Sequence, residues 1–220
     1  MEKLWNVLSE FIYMIPVVLS LPFHEVAHGY VSYKLGDPTA KDQGRLSLNP
    51  LKHLDPLGTL LMFLVHFGWA KPVPINPMYY KNRKMGTLLV ALAGPVSNLL
   101  LSFLFSILLA ILNAYLMSHE LTWITVALIN IFYLFINVNV YLAIFNLIPV
   151  PPLDGSKILA GVLPDQKYWA FLQHERTIGM IFFLVIIFFR QQFFMVMNFL
   201  ASPVLKIITG AGFGLVGLFT

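Results

Sequence analysis

The stretch Phe23-His24-Glu25-Val26-Ala27-His28-Gly29 places two imidazoles and a carboxylate late in an apolar run, 4–33, that otherwise reads as a membrane helix. Ionisable groups are costly in hydrocarbon, so a cluster of them inside such a run points to function. The pattern is H-E-x-x-H. On a helix, positions i and i+4 share a face, so His24 and His28 can grip one metal ion between them. Glu25 then stands beside the pair, placed to handle the proton of an attacking water. A buried polar patch pairing Glu25 with a histidine is the competing reading; it accounts for the charges but not for their spacing.

Composition sets the solvent. Of 220 residues, 58% are hydrophobic and 11% charged, against about a quarter charged in soluble domains. The mean hydropathy of +0.78 agrees. These values predict one integral-membrane domain over 1–220, with no appended soluble domain. The net charge of +4 sits near helix ends, which suits topology and contact with lipid headgroups and excludes nucleic-acid binding as an expectation. There are no cysteines, so disulfides and thiolate metal sites are excluded and any metal must use His and carboxylate. Met1-Glu2-Lys3 followed by an apolar run without a small-residue cleavage site does not read as a signal peptide.

Working outward from the motif, Pro16 and Pro22 are expected to kink the first helix. Residues 34–56 are polar and rich in turn formers, with alternating pieces such as Arg45-Leu46-Ser47-Leu48 that predict short strands. The apolar piece 57–70 falls short of the roughly 20 residues a span needs. Its flanks are both basic (Lys34, Lys41, Arg45 and Lys52; Lys71, Lys81, Arg83 and Lys84), so it is expected to be re-entrant or interfacial on the cytoplasmic side. Lys71-Pro72-Val73-Pro74-Ile75-Asn76-Pro77 is unfit for helix and reads as extended. Residues 86–117 are long enough to span with a kink at Gly94-Pro95. Ser118-His119-Glu120 makes an external turn, and 122–148 return to the cytoplasmic side. Two apolar segments, 177–189 and 193–219, separated by Arg190-Gln191-Gln192, complete a hairpin of spans whose first member begins as early as Tyr168. The expected fold is therefore an all-α polytopic membrane protein. It has about five transmembrane helices, a re-entrant or short membrane segment, and short β or extended segments near the cytoplasmic face.

A catalytic metal site takes three protein ligands and leaves a position for water. Asp37, Asp42, Asp55, Asp165 and Glu175 lie in polar loops. Asp154, in Pro149-Val150-Pro151-Pro152-Leu153-Asp154-Gly155, alone sits in an apolar, proline-broken setting. Positive-charge topology brings it to the leaflet that holds His24 and His28. An Asx turn is its alternative role, since Asp-Gly is a common turn pair.

These residues resemble a family. HEVAH on a membrane helix, followed by Asn146-Leu147-Ile148-Pro149 and Leu153-Asp154-Gly155, is similar to the site-2 protease family of intramembrane zinc metalloproteases. Ala93-Gly94-Pro95-Val96-Ser97-Asn98 and Phe67-Gly68-Trp69-Ala70-Lys71-Pro72-Val73-Pro74 resemble stretches of its short prokaryotic members, which lack PDZ-like and CBS-like domains. The resemblance covers residues from about 20 to 160. It implies one Zn2+ per chain with Asp154 as third ligand, and transmembrane segments of other proteins as substrates. It also implies a multi-pass protein of a prokaryotic cell membrane with the site towards the cytoplasm.

In that mechanism zinc acidifies a water, Glu25 accepts its proton and passes it to the leaving amine, and donors must meet the oxyanion. Asn146 is the candidate donor, with a helix-terminal hydrogen bond as its alternative. Asn98 lines the same cavity or makes an interhelical contact. The segments 44–49 and 71–77 are candidates for a strand edge that receives an unwound substrate. His53, His66, His119 and His174 are expected to be solvated or interfacial. Two readings from other classes stand beside the protease: a zinc transporter, which needs repeated sites not visible here, and a metal-holding membrane scaffold. Oligomeric state is open.

Overall fold

The computed structural model describes residues 2–65, 68–164, 166–167, 171 and 173–218, and among them side chains from residue 14 onward except those of 63–65 and 160. Among these residues the regular structure is helical: α1 (Glu2–Lys34), α2 (Thr39–Asp42), α3 (Pro56–Val65), α4 (Arg83–Leu116), α5 (Trp123–Leu147), α6 (Asp154–Val162), α7 (Glu175–Phe188) and α8 (Arg190–Gly217), with single 3-10 turns at Pro50–Lys52 and Pro77–Tyr79. The expected strands do not form. Among the described residues the only pairing outside helices is an isolated antiparallel bridge between Leu54 and Ala70. The reason lies in the second segment, where Pro72, Pro74 and Pro77 remove every second or third N–H that a ladder would need.

Among the described residues three helices are long and apolar enough to cross a membrane: α4, α5 and α8. α1 runs unbroken through Pro16 and Pro22, both buried. α3 is 10 residues long, too short for a span, as its composition predicts. α7 and α8 are parted by Phe189 alone, so Arg190-Gln191-Gln192 opens a helix and does not separate two. The expected start near Tyr168 and His66 lie outside the described residues.

The chain divides into two compact units. One consists of Met1–Val17, Asn98–Phe145 and Arg190–Thr220. Its interior sets polar residues among apolar ones such as Leu109, Ile136, Val140 and Ala201. Asn98, Ser102 and Ser106, four residues apart on one face of α4, are fully buried. Asn98 donates to Asn139 Oδ1 at 2.9 Å, Ser102 to the Ile136 carbonyl at 3.0 Å, and Ser106 to the Ile208 carbonyl at 3.1 Å. These bonds tie α4 to α5 and α8, while Leu100, Leu104, Ile111, Phe199 and Ile207 face outward. Small polar residues between helices and apolar residues outside are the pattern of a protein solvated by lipid. Asn98 thus makes the interhelical contact, the second of its two sequence readings.

The other unit consists of Val18–Ser97 and Asn146–Phe189. It holds the C-terminal half of α1, the non-helical run that follows it, α3, the start of α4, α6 and α7. His53, expected in a solvated setting, is completely buried there, its Nε2 2.6 Å from the Ser47 carbonyl. His174 is exposed as anticipated, and His119 is exposed and stacks on Tyr115.

In the first unit α8 meets α4 at Gly212, where a Cβ would lie 2.2 Å from Ser106 Oγ. Gly210 and Gly214, one helix face away, have nothing within 4 Å. Gly212→Val should therefore cost about 1–3 kcal/mol through overpacking, while Gly210→Val and Gly214→Val leave stability at or above wild type. Thermal unfolding of the three variants in one detergent distinguishes them, and equal midpoints would mean that α4 and α8 do not pack at this glycine.

Candidate metal centre

His24 and His28 lie on α1 one turn apart, both buried, with their rings T-shaped and centroids 4.6 Å apart. Their Nε2 atoms are 3.0 Å from each other. Asp154, buried, is the first residue of α6. Its Oδ2 is 3.1 Å from both Nε2 atoms, and its Oδ1 lies 3.5 Å from Lys157 Nζ. The carboxylate therefore faces the imidazoles and not its own backbone, which favours the ligand reading over the Asx turn.

The protonation of His28 can be read from its other nitrogen. Nδ1 is 2.6 Å from the carbonyl oxygen of Val90 on α4, which can only accept. Nδ1 therefore carries the proton, and in the neutral ring Nε2 presents a lone pair. That lone pair points at a carboxylate oxygen, another acceptor. Such an arrangement calls for a cation or a shared proton among the three atoms. Two imidazole nitrogens and one carboxylate oxygen, mutually within 4.8 Å, make the donor set of a three-ligand catalytic zinc site. With bonds of about 2.0–2.1 Å, a tetrahedral ion sets ligand atoms about 3.4 Å apart, close to the spacing found. The residues fit the metal. The bond from His28 to Val90 is the outer-shell contact that aims a ligating imidazole.

Glu25 follows His24 directly on α1. Its Oε2 accepts the backbone N–H of Val73 at 2.8 Å, a partner that sequence reasoning missed because a main-chain N–H leaves no mark on residue type. Asn146 is half-buried on the last turn of α5. Among the other carboxylates, Asp42 is exposed, Asp55 caps α3 through the Gly58 N–H at 2.8 Å, and Glu175 is exposed at the start of α7. Asp165 lies outside the described residues.

Asp37 is the surprise. It is fully buried and accepts from Ser32 Oγ, the Thr39 N–H, Thr39 Oγ1 and the Asn76 N–H. Burial pushes its carboxyl up, but the donors from Asn76, Thr39 and Ser32 together outweigh that and hold it below the ordinary carboxylate range. A charged, fully bonded buried carboxylate of this kind is a structural tie.

A family model described as "Peptidase family M50" matches residues 114–189. The Bacillus subtilis protein named "Putative zinc metalloprotease YwhC" is 45% identical over 173 residues, 79% of this chain and 78% of its own length. "Putative zinc metalloprotease Rip2" of Mycolicibacterium smegmatis is 30% identical over 169 residues, 70% of this chain and 61% of its own. "Putative zinc metalloprotease MJ0611" of Methanocaldococcus jannaschii is 32% identical over 157 residues, 70% of this chain and 72% of its own. No solved structure matches the chain.

The glycine that lets α4 reach the imidazoles offers a direct check. A Cβ on Gly94 would lie 2.5 Å from Cε1 of His24 and from Cε1 and Nε2 of His28. Gly94→Ala should displace both rings and weaken metal binding by about 10–100-fold. Chelator competition on the purified protein measures it; wild-type affinity in this variant would show that the rings are not held against α4.

Proposed function

The chain belongs to peptidase family M50, and from that membership we propose that it is a zinc-dependent endopeptidase of the membrane, hydrolysing peptide bonds in or near transmembrane segments of other proteins. The observation that carries the proposal is the meeting of His24, His28 and Asp154 within 3.1 Å in a chain whose helices are built for lipid. Each of those residues would hold one zinc ion through the atoms that already converge. When bound, zinc supplies Lewis acidity and a water acidic enough to ionise near neutral pH.

Glu25, next to His24 on α1, takes the proton of the attacking water and returns it to the leaving amine. A carboxylate suits the task because it can hold a proton briefly between two bases of different strength. Asn146, on the last turn of α5, is the proposed donor to the oxyanion. In this reading about five helices cross the bilayer, α1 and α7 joining α4, α5 and α8, while α3 rests at or dips into the cytoplasmic interface. The protein is then a multi-pass component of a prokaryotic cell membrane with its site towards the cytoplasm. Its partners are single transmembrane segments that unwind to expose a scissile carbonyl.

Glu25→Gln separates proteolysis from metal storage or transport. The variant should keep one zinc per chain and lose turnover by about 10²–10⁴-fold, so that uncut membrane segments accumulate beside it in cells. Mass spectrometry of membrane peptides, with zinc content measured in parallel, reads both quantities. If no membrane peptide accumulates while zinc is retained, the protease reading fails.

A further inference from the structure

Glu25 must hold its carboxylate still beside the three metal ligands, and a glutamate has three torsions to fix. The structure assigns that task to residues 70–76: we propose that this segment is a strap that positions Glu25, with the Val73 N–H as the contact and Asp37 as the anchor. The role rests on the peptidase reading above and goes beyond it. The Val73 N–H reaches Glu25 Oε2 at 2.8 Å, which fixes that oxygen and leaves Oε1 without this contact. A backbone N–H is suited to this work, since it has no side-chain torsions of its own and no proton to lose over the working pH range.

The strap is fixed on both sides of Val73. Before it, the Lys71 N–H donates to the His53 carbonyl at 2.8 Å, and Arg45 Nη2 donates to the Lys71 carbonyl at 2.7 Å. Ala70 bridges Leu54. After it, the Asn76 N–H donates to Asp37 Oδ2 at 2.7 Å. The same oxygen takes the Ser32 hydroxyl, also at 2.7 Å. Ser32 lies on α1 seven residues beyond Glu25, so Asp37 ties the far end of the strap to the helix that carries the glutamate. The Val73 side chain is 6% exposed and lies against Gly29 of α1, where a Cβ would come within 3.0 Å of its Cγ1. Pro72 and Pro74 complete the device. They hold their own φ near −65° and push Lys71 and Val73 into extended backbone, so the one N–H between them is aimed before Glu25 arrives.

The test removes that N–H and little else. Val73→Pro deletes the donor, and Val73→Ala, which keeps it, controls for lost packing. The full chains are reconstituted in lipid vesicles with a fluorophore–quencher peptide of one apolar span carrying a central Asn-Gly-Pro break. Relative to Val73→Ala, Val73→Pro should keep one zinc per chain and its KM within about twofold, and lose kcat by about 10–100-fold. Equal kcat in the two variants, or a change confined to KM, overturns the role. Should Val73→Pro lose its zinc, Asp37→Ala decides: it removes the oxygen that receives the Asn76 N–H. It should lower kcat about 3–10-fold at full zinc loading, and unchanged kcat there overturns the role. A readout independent of activity is hydrogen exchange at the Val73 amide, which should quicken at least about tenfold in Glu25→Ala. Unaltered exchange would show that the bond does not form. A wild-type chain that binds zinc and leaves the peptide whole would overturn the peptidase reading, and this role with it.

Discussion

Two imidazole nitrogens and a carboxylate oxygen meet within 3.1 Å. Acceptors crowd together in this way only when a cation or a shared proton lies among them. The histidine pair comes at no cost from helical spacing, but the carboxylate has to be carried across 130 residues of chain. The proline-broken loop after α5 does this, ending in a new helix whose first residue is Asp154. A carboxylate in the first turn also sits well with the partial positive charge of a helix N-terminus.

Much of what supports the centre is main chain. Val90 offers a carbonyl, Val73 an N–H, and Gly94 the absence of a side chain. Main-chain groups suit an apolar surrounding, where each added polar side chain would need satisfying in turn. The same economy governs the other unit, where serines on α4 donate to carbonyls of α5 and α8. Between helices solvated by lipid, close approach and short hydrogen bonds add to what apolar packing supplies.

This division explains what could be read from sequence. The meeting of His24 and His28 was legible because a side-chain pattern at i and i+4 is a geometric statement. Asp154 was legible because charge topology and prolines together confined it. Zinc followed from the donor set and the family resemblance. Val90 and Val73 were not legible, since they act through atoms every residue has. Asp37 looked like one loop carboxylate among several; its burial depends on Asn76, a contact made 39 residues away. His53 was misjudged for the same reason, because burial of a loop residue is decided by what folds over it. The strands failed where alternation of side chains was taken as sufficient and the missing proline donors were not counted.

Those missing donors also shape the edge that 71–77 presents. Lys71 and Val73 both direct main-chain groups inward, to His53, Arg45 and Glu25. Backbone groups alternate sides along an extended chain, so Pro72 and Pro74 face the opposite edge. A proline there shows a carbonyl and no N–H. The outer edge is thus an acceptor edge, which cannot complete a two-way ladder with a second copy of itself and resists edge-to-edge pairing.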